Sequence, residues 1–154
     1  MPVVKLIADS GATKAEWCLL KNGRKKTLFT QGISPYFLNT EQIYQLLEKE
    51  LKPRLRKEDI HEIYYYGTGC ANPLNARSVK KALRKSFSGA KVEVTHDLMG
   101  AARALCGRDK GVACILGTGA NSCYYNGKKI LKNSPGLGYV LGDEGSGAYL
   151  GKKV

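Results

Sequence analysis

The six residues DSGATK, from Asp9 to Lys14, put a carboxylate, a hydroxyl and an amine around Gly11, between two strand-like apolar runs. A glycine turn at a strand end lets backbone N–H groups converge on an anion, because no Cβ blocks the approach. Thr13 and Lys14 add donors. Asp9 would repel a phosphate unless a cation lay between them, so an aspartate beside an anion cradle points to Mg²⁺ and a nucleotide. The GxxxxGK[ST] spacing of a Walker loop is absent, and a strand rather than a helix follows. A plain hairpin bent at Asp-Ser-Gly accounts for the same residues. ILGTGANS, 115–122, repeats the recipe of apolar strand, small turn (Gly117, Thr118, Gly119) and strand. Two such hairpins could clamp one polyphosphate from both sides; two independent tight turns are the alternative.

Asp97 follows the short alternating strand KVEVT and begins a helix. A capping carboxylate there would contribute about 1 kcal/mol. A general base at the carboxyl end of a strand, where open α/β sheets place their ligands, fits the same position. The two roles are compatible. In GDEGSG, Asp143 and Glu144 precede small residues and suit either a helix start or a ligand contact.

The elements that must carry these residues follow from periodicity. Strands are expected at 3–8, 16–21 and 25–30, the last two joined by Asn22-Gly23, a tight-turn dipeptide. A helix capped by Thr40 buries Ile43, Leu46, Leu47 and Leu51 and ends before Pro53. A strand at 62–66, a basic amphipathic helix at about 74–87 and a strand at 91–95 come next. A helix with the stripe Leu98, Ala101, Ala102 and Leu105 closes at Gly107. Two further hairpins follow, then a glycine-rich tail with a hint of helix after Gly145. YGTGCAN and LGTGANS form a short near-repeat, each ending an apolar strand. Three meandering strands followed by alternating helices and strands predict an α/β fold, a parallel core with an antiparallel edge.

Composition bounds the rest. The 154 residues, 43% hydrophobic and 25% charged, suit one globular domain with a real core. No apolar run approaches the roughly 20 residues that cross a bilayer, and the N-terminus makes a poor signal peptide. A soluble, cytoplasmic protein is expected, with no membrane partner. Five scattered cysteines without metal-ligand spacing read as reduced thiols and disfavour zinc and iron–sulfur clusters. The net charge of +12 permits nucleic-acid binding. However, Arg77, Lys80, Lys81, Arg84 and Lys85 lack the interleaved aromatics of a single-strand binder, so a solvated helix face is expected.

DSGATK, THDLMGAARA, LGTGANS and GLGYVLGDEGSGAYLG, in this order and spacing, resemble the N-acetylglucosamine kinase branch of the BadF/BadG/BcrA/BcrD ATPase family. That family lies in the sugar kinase, heat-shock cognate and actin superfamily. The resemblance implies a ribonuclease H-like mixed sheet, with a three-strand antiparallel meander leading into βαβ units flanked by helices. It spans nearly the whole chain but only the N-terminal half of a typical member. Segment 1–110 would be the N-terminal lobe with the first phosphate loop and catalytic aspartate; 111–154 would hold the second phosphate hairpin and a sugar-pocket segment.

The resemblance also implies roles. Asp9 would hold Mg²⁺, through water, with Gly11, Thr13 and Lys14 facing the phosphates of ATP. Gly117, Thr118 and Gly119 would form the second phosphate loop. Asp97 would be the base, and Asn121, Gly136 and Asp143 would reach the sugar. Ser34, in GISP, stands where the family has a sugar-binding asparagine. The family's adenosine-binding half has no counterpart here, so activity is expected to be weak or absent without a second lobe, another polypeptide or a second copy.

Three rivals remain at this level. A ribonuclease H-like nuclease would gather Asp9, Glu48 and Asp97 on metals. An activator of 2-hydroxyacyl-CoA dehydratases would need cluster cysteines that have no counterpart here. A non-catalytic lobe would fold and self-associate as a homodimer.

Overall fold

Alternation builds the first strand. In β1 (Lys5–Ser10), Leu6, Ala8 and Ser10 are buried on one face while Lys5, Ile7 and Asp9 point to the other. The computed structural model describes residues 3–56 and 58–154. β2 (Lys14–Lys21) and β3 (Arg24–Gln31) complete an antiparallel meander. Their turn places Asn22 and Gly23 at φ 51° and 73°, as the tight-turn dipeptide requires.

The cap of α1 (Thr40–Leu46) is Asn39, one residue before the expected Thr40. Asn39 Oδ1 accepts from the Gln42 N–H at 2.9 Å and Gln42 Oε1 accepts from the Asn39 N–H at 2.9 Å, a reciprocal box that Thr40, already helical, does not make. Pro53 does not lie beyond the helix either. The chain continues through a π turn, Leu47–Leu51, into a 3₁₀ turn, Lys52–Leu55, and Pro53 sits early in that turn, where a missing N–H costs little. Arg56, at φ 51°, ends it.

β4 (Glu62–Gly67), α2 (Pro73–Ser86) and β5 (Lys91–His96) add two parallel strands, giving the order β3-β2-β1-β4-β5. The core beneath holds Leu6, Ala8, Trp17, Ile43, Leu47, Ile63, Val79 and Leu83. Trp17 Nε1 donates to Thr30 Oγ1 at 3.0 Å, so its buried polar atom is satisfied. The basic face of α2 is partly tied down, since Lys85 Nζ lies 2.7 Å from Glu41 and 3.9 Å above the Tyr44 ring.

The chain forms two compact units, divided after Asp97. In the second, α3 (Asp97–Cys106) lies with β6 (Lys110–Leu116), β7 (Ala120–Asn126) and β8 (Ile130–Pro135), an antiparallel sheet in that order. Leu98 and Ala102 of α3 cluster with Ala113, Cys123 and Tyr125 on one face of this sheet. Two short helices follow, α4 (Gly138–Leu141) and α5 (Gly147–Gly151). All five cysteines are free. Among the described residues, no helix is long and apolar enough to cross a membrane.

Candidate functional site

Parallel register carries the first unit's chemistry to one edge. Asp9 lies opposite Tyr66, which lies opposite Thr95, while Ser10, Gly67 and His96 form the next row. Asp97, immediately after β5, is therefore at the same carboxyl edge as Asp9, the edge where open α/β sheets receive ligands. α3 starts at Asp97 itself, so its carboxylate is also in a first helical turn, where negative charge is favoured. Capping and chemistry are both compatible with that placement.

The charge of Asp97 is felt around this edge. Partial loss of hydration raises the Asp9 carboxyl above its ordinary value, and the charges of Asp97 and then Glu16, the antiparallel partner of Asp9, raise it further. Burial, with a contribution from Asp97, pushes the Cys70 thiol up to about 12. Burial lowers the His96 imidazole, while Asp97 works in the opposite direction.

Stability should register this shift. The folded chain protonates Asp9 more readily than the unfolded chain, whose carboxyl titrates near 3.8, so this group favours folding at low pH and ceases to as pH rises through its folded value. Asp9→Asn is expected to raise the melting temperature at neutral pH and to lose that advantage below the unfolded value. Circular dichroism melts at the two pH extremes test this; a lower melting point at neutral pH would show the carboxylate to be favourably held.

The turn at 11–14 is braced from behind. The Gly11 N–H donates to the Lys14 carbonyl at 3.0 Å, the Gly32 N–H to the Thr13 carbonyl at 3.0 Å, and the Ile33 N–H to Ser10 Oγ at 3.2 Å. A Cβ on Gly32 would lie 2.6 Å from the Gly11 carbonyl oxygen and collide with the Ala12 carbonyl. Sequence reasoning missed Gly32; its only signal was a glycine directly after a strand. Gly11 and Thr13 are exposed at the bend. Lys14 stands with Nζ 4.0 Å from the centre of the Phe29 ring.

Ser34 is buried, and its carbonyl accepts from the N–H groups of Phe37 and Leu38 at 3.0 and 2.9 Å. This turn presents two exposed aromatics that sequence reasoning also missed, Tyr36 and Phe37. Tyr36 lies against Gly69, in the loop after β4, where a Cβ would come 2.7 Å from its ring.

In the second unit, Gly117 donates to the Gly119 carbonyl at 2.9 Å and closes the second turn. The start of α5 clasps that turn: the Gly147 N–H reaches the Gly117 carbonyl at 2.7 Å and the Ala148 N–H the Thr118 carbonyl at 3.3 Å. Asp143, at φ 70°, accepts the Gly138 N–H on Oδ1 at 2.9 Å. A Cβ on Gly136 would strike that carboxylate, and one on Gly119 would lie 3.2 Å from Oδ2. Gly119, Gly136 and Asp143 thus pack together. A cleft of about 270 Å³ is lined by Asn121, Ser122, Ser134, Gly136, Asp143 and Glu144, with Cys114, Leu116 and Ala120 as its less polar wall. Asn121 Oδ1 accepts from Asn133 Nδ2 at 2.8 Å, which also donates to the Ser122 carbonyl at 3.0 Å. Asn133, not foreseen, therefore fixes which end of the Asn121 amide faces outward.

Glu48 does not join Asp9 and Asp97. It lies in the π turn of the helix and pairs with Lys52, four residues on, at 3.1 Å. Among the described residues no group of three or more His, Cys, Asp or Glu side chains could hold a metal. The nuclease arrangement of three carboxylates is therefore absent from them. Asp9 with Asp97 nearby suits Mg²⁺ instead, which takes one or two carboxylates and fills its remaining sites with water and phosphate oxygens.

No protein-family model and no curated protein sequence matches the chain. Solved structures do. A candidate N-acetylglucosamine kinase of Porphyromonas gingivalis matches with a TM-score of 0.90 at 44% identity, over 96% of this chain and 53% of that one. A second candidate N-acetylglucosamine kinase, of Chromobacterium violaceum, matches with a TM-score of 0.77 at 19% identity, over 98% and 55%. A ROK hexokinase of Thermus thermophilus matches at 0.57 and 19%, over 93% and 52%. The last two likenesses speak to the fold alone. The chain has the actin-like ATPase fold of sugar kinases and resembles their N-terminal half, which bears out the resemblance read from its four motifs. It spans about half the length of these structures.

Proposed function

We propose that the chain is the N-terminal part of an ATP- and Mg²⁺-dependent cytoplasmic sugar kinase acting on N-acetylglucosamine or a related amino sugar or hexose. The observation that carries this reading is the pair Asp9 and Asp97 at the carboxyl ends of parallel strands, with the DSGATK turn beside Asp9. The 44% identity with the P. gingivalis protein supports it.

A phosphoryl transfer asks for alignment and charge neutralisation more than covalent chemistry. Asp97 accepts the proton of the attacking sugar hydroxyl as that oxygen bonds to the γ-phosphorus and the bond to ADP breaks. Gly11 and Thr13 offer backbone N–H groups and a hydroxyl to phosphate oxygens, and Lys14 leaves Phe29 to join them. Gly117, Thr118 and Gly119 offer the same kind of cradle in the second unit. Asp9 is the residue that would hold Mg²⁺. The ion, when bound, neutralises charge on the triphosphate. For the sugar, Asn121 turned by Asn133, the Gly136–Asp143 pair and the loop at Ser34 are the proposed contacts.

The test is a screen of amino sugars and hexoses for ATP-dependent phosphorylation, with the chain alone and with a polypeptide supplying the rest of the enzyme. Little or no turnover alone and Mg²⁺-dependent turnover together is the expected result. No phosphorylated sugar from the completed assembly would overturn the reading.

A further inference from the structure

Two buried hydroxyls meet at the end of β1. Ser10 closes that strand, fully buried and in register with Gly67 of β4. Tyr65, two residues before Gly67 on the same face of β4, is fully buried as well, its ring centre 6.0 Å from that of Trp17. A Cβ on Gly67 would strike the Tyr65 ring and lie 2.8 Å from its hydroxyl oxygen. The ring therefore runs along its own strand, through the space that a side chain at 67 would fill, and carries its hydroxyl toward the carboxyl edge.

Both hydroxyls act on one buried peptide, whose polar groups need partners away from water. The Ile33 N–H donates to Ser10 Oγ at 3.2 Å, and the Tyr65 hydroxyl donates to the Ile33 carbonyl at 3.4 Å. Ser10 Oγ donates in turn to the Gly11 carbonyl at 3.3 Å and lies within hydrogen-bonding reach of the phenol. Burial pushes the phenol well above its ordinary range, so it keeps the proton it donates. Ile33 joins two segments of the site. Before it, the Gly32 N–H braces the Thr13 carbonyl of the first turn; after it, the Ser34 carbonyl accepts from Phe37 and Leu38. At 3.4 Å the phenol's bond is long, so its loss should slacken a loop without unfolding the chain.

We propose that the Ser10 and Tyr65 hydroxyls clamp the Ile33 peptide from its two polar ends, tying the Ser34 turn to the phosphate bend, and that Tyr65 is a positioning residue for the sugar. The sugar role rests on the kinase reading; the clamp does not. Ser10 bonds both to Gly11 in the bend and to Ile33, so Ser10→Ala loosens both segments. Tyr65→Phe leaves the Gly32–Thr13 and Ser10–Ile33 bonds in place and takes the phenol only from the Ile33 carbonyl, beside the Ser34 turn. Its effect therefore falls on the sugar loop and spares the phosphates.

Amide exchange in the free chain, without nucleotide or sugar, tests the clamp. Tyr65→Phe keeps the ring against Trp17 and should speed exchange at Phe37 and Leu38 about tenfold, the worth of one buried hydrogen bond, with the amides of β1 and β2 unchanged. In the assembly that phosphorylates sugar, the same variant should raise the KM for sugar about tenfold and leave kcat and the KM for ATP within about threefold. Ser10→Ala should raise both KM values. Val79→Ala, at a fully buried residue of α2, controls for lost stability: it should melt earlier and move neither KM. Unchanged exchange at Phe37 and Leu38 in Tyr65→Phe, or a rise shared by the whole sheet, would overturn the clamp. A sugar KM that stays put in Tyr65→Phe, or that Val79→Ala raises equally, would overturn the positioning role. A wild-type assembly that phosphorylates no sugar would sink the kinase reading instead, with the exchange pattern still deciding the clamp.

Discussion

Asp97→Asn, in the assembly that phosphorylates sugar, should lower kcat by about 10²–10⁴-fold while the KM for sugar changes little, the signature of a lost general base. That is about 3–5 kcal/mol of barrier. The substitution keeps the side chain's size and hydrogen-bonding reach and removes the charge. A first-turn carboxylate that only favours the helix would contribute about 0.3–1 kcal/mol to stability and nothing to kcat. The two roles therefore separate by more than an order of magnitude in rate. The charge also has a readout that needs no turnover. Because Asp97 raises the titration points of both Asp9 and His96, Asp97→Asn should lower both, which NMR titration of the free chain can follow. Unchanged kcat with a lower melting point would reduce Asp97 to a helix-start residue. Unchanged titration of its neighbours would remove it from the edge cluster altogether.

What made Asp97 legible was its place directly after an alternating strand and before a helical stripe. The same local logic read the meander, the Asn22-Gly23 turn and the buried stripe Ile43–Leu47–Leu51. It failed where a decision belonged to a second segment. Thr40 and Asn39 are both good caps, and the choice turned on Gln42 reaching back to the Asn39 N–H. Pro53 looked terminal because a 3₁₀ turn that admits an early proline has no periodic signature. The place of the Lys14 ammonium over the exposed Phe29 ring belongs to the adjacent strand, which no local pattern at 9–14 shows. Asn121 was visible as a polar residue after a glycine turn. Its partner Asn133 lies on the next strand, and β7–β8 register alone brings the two together. Tyr36 and Phe37 looked like ordinary loop residues until Ser34 was seen to fold them into an exposed turn.

Gly32 shows the same limit at its most consequential, and Gly32→Ala is expected to damage the first turn more than any change at the turn's own exposed residues. A Cβ there would sit 2.6 Å from the Gly11 carbonyl oxygen, and the Ala12 carbonyl also crowds it. Neither obstacle is the tip of a flexible side chain. Both are backbone of the bend that is to receive phosphate, so relief requires the bend to move. Moving it strains the 3.0 Å bond from the Gly32 N–H to the Thr13 carbonyl. Overpacking of this kind costs about 1–3 kcal/mol. The entropy gained by replacing glycine returns only about 0.4–1 kcal/mol. A net loss of stability should follow, with weakened nucleotide binding in the completed assembly because the turn's N–H groups no longer converge. Gly89→Ala is the internal standard: nothing lies within 4 Å of a Cβ at Gly89, so the same chemical change there should be neutral or slightly stabilising. Melting curves of the two variants side by side isolate the collision from the generic effect of losing a glycine. If both melt together, the loop behind the turn yields freely, and Gly32 is a spacer with no hand in shaping the anion cradle.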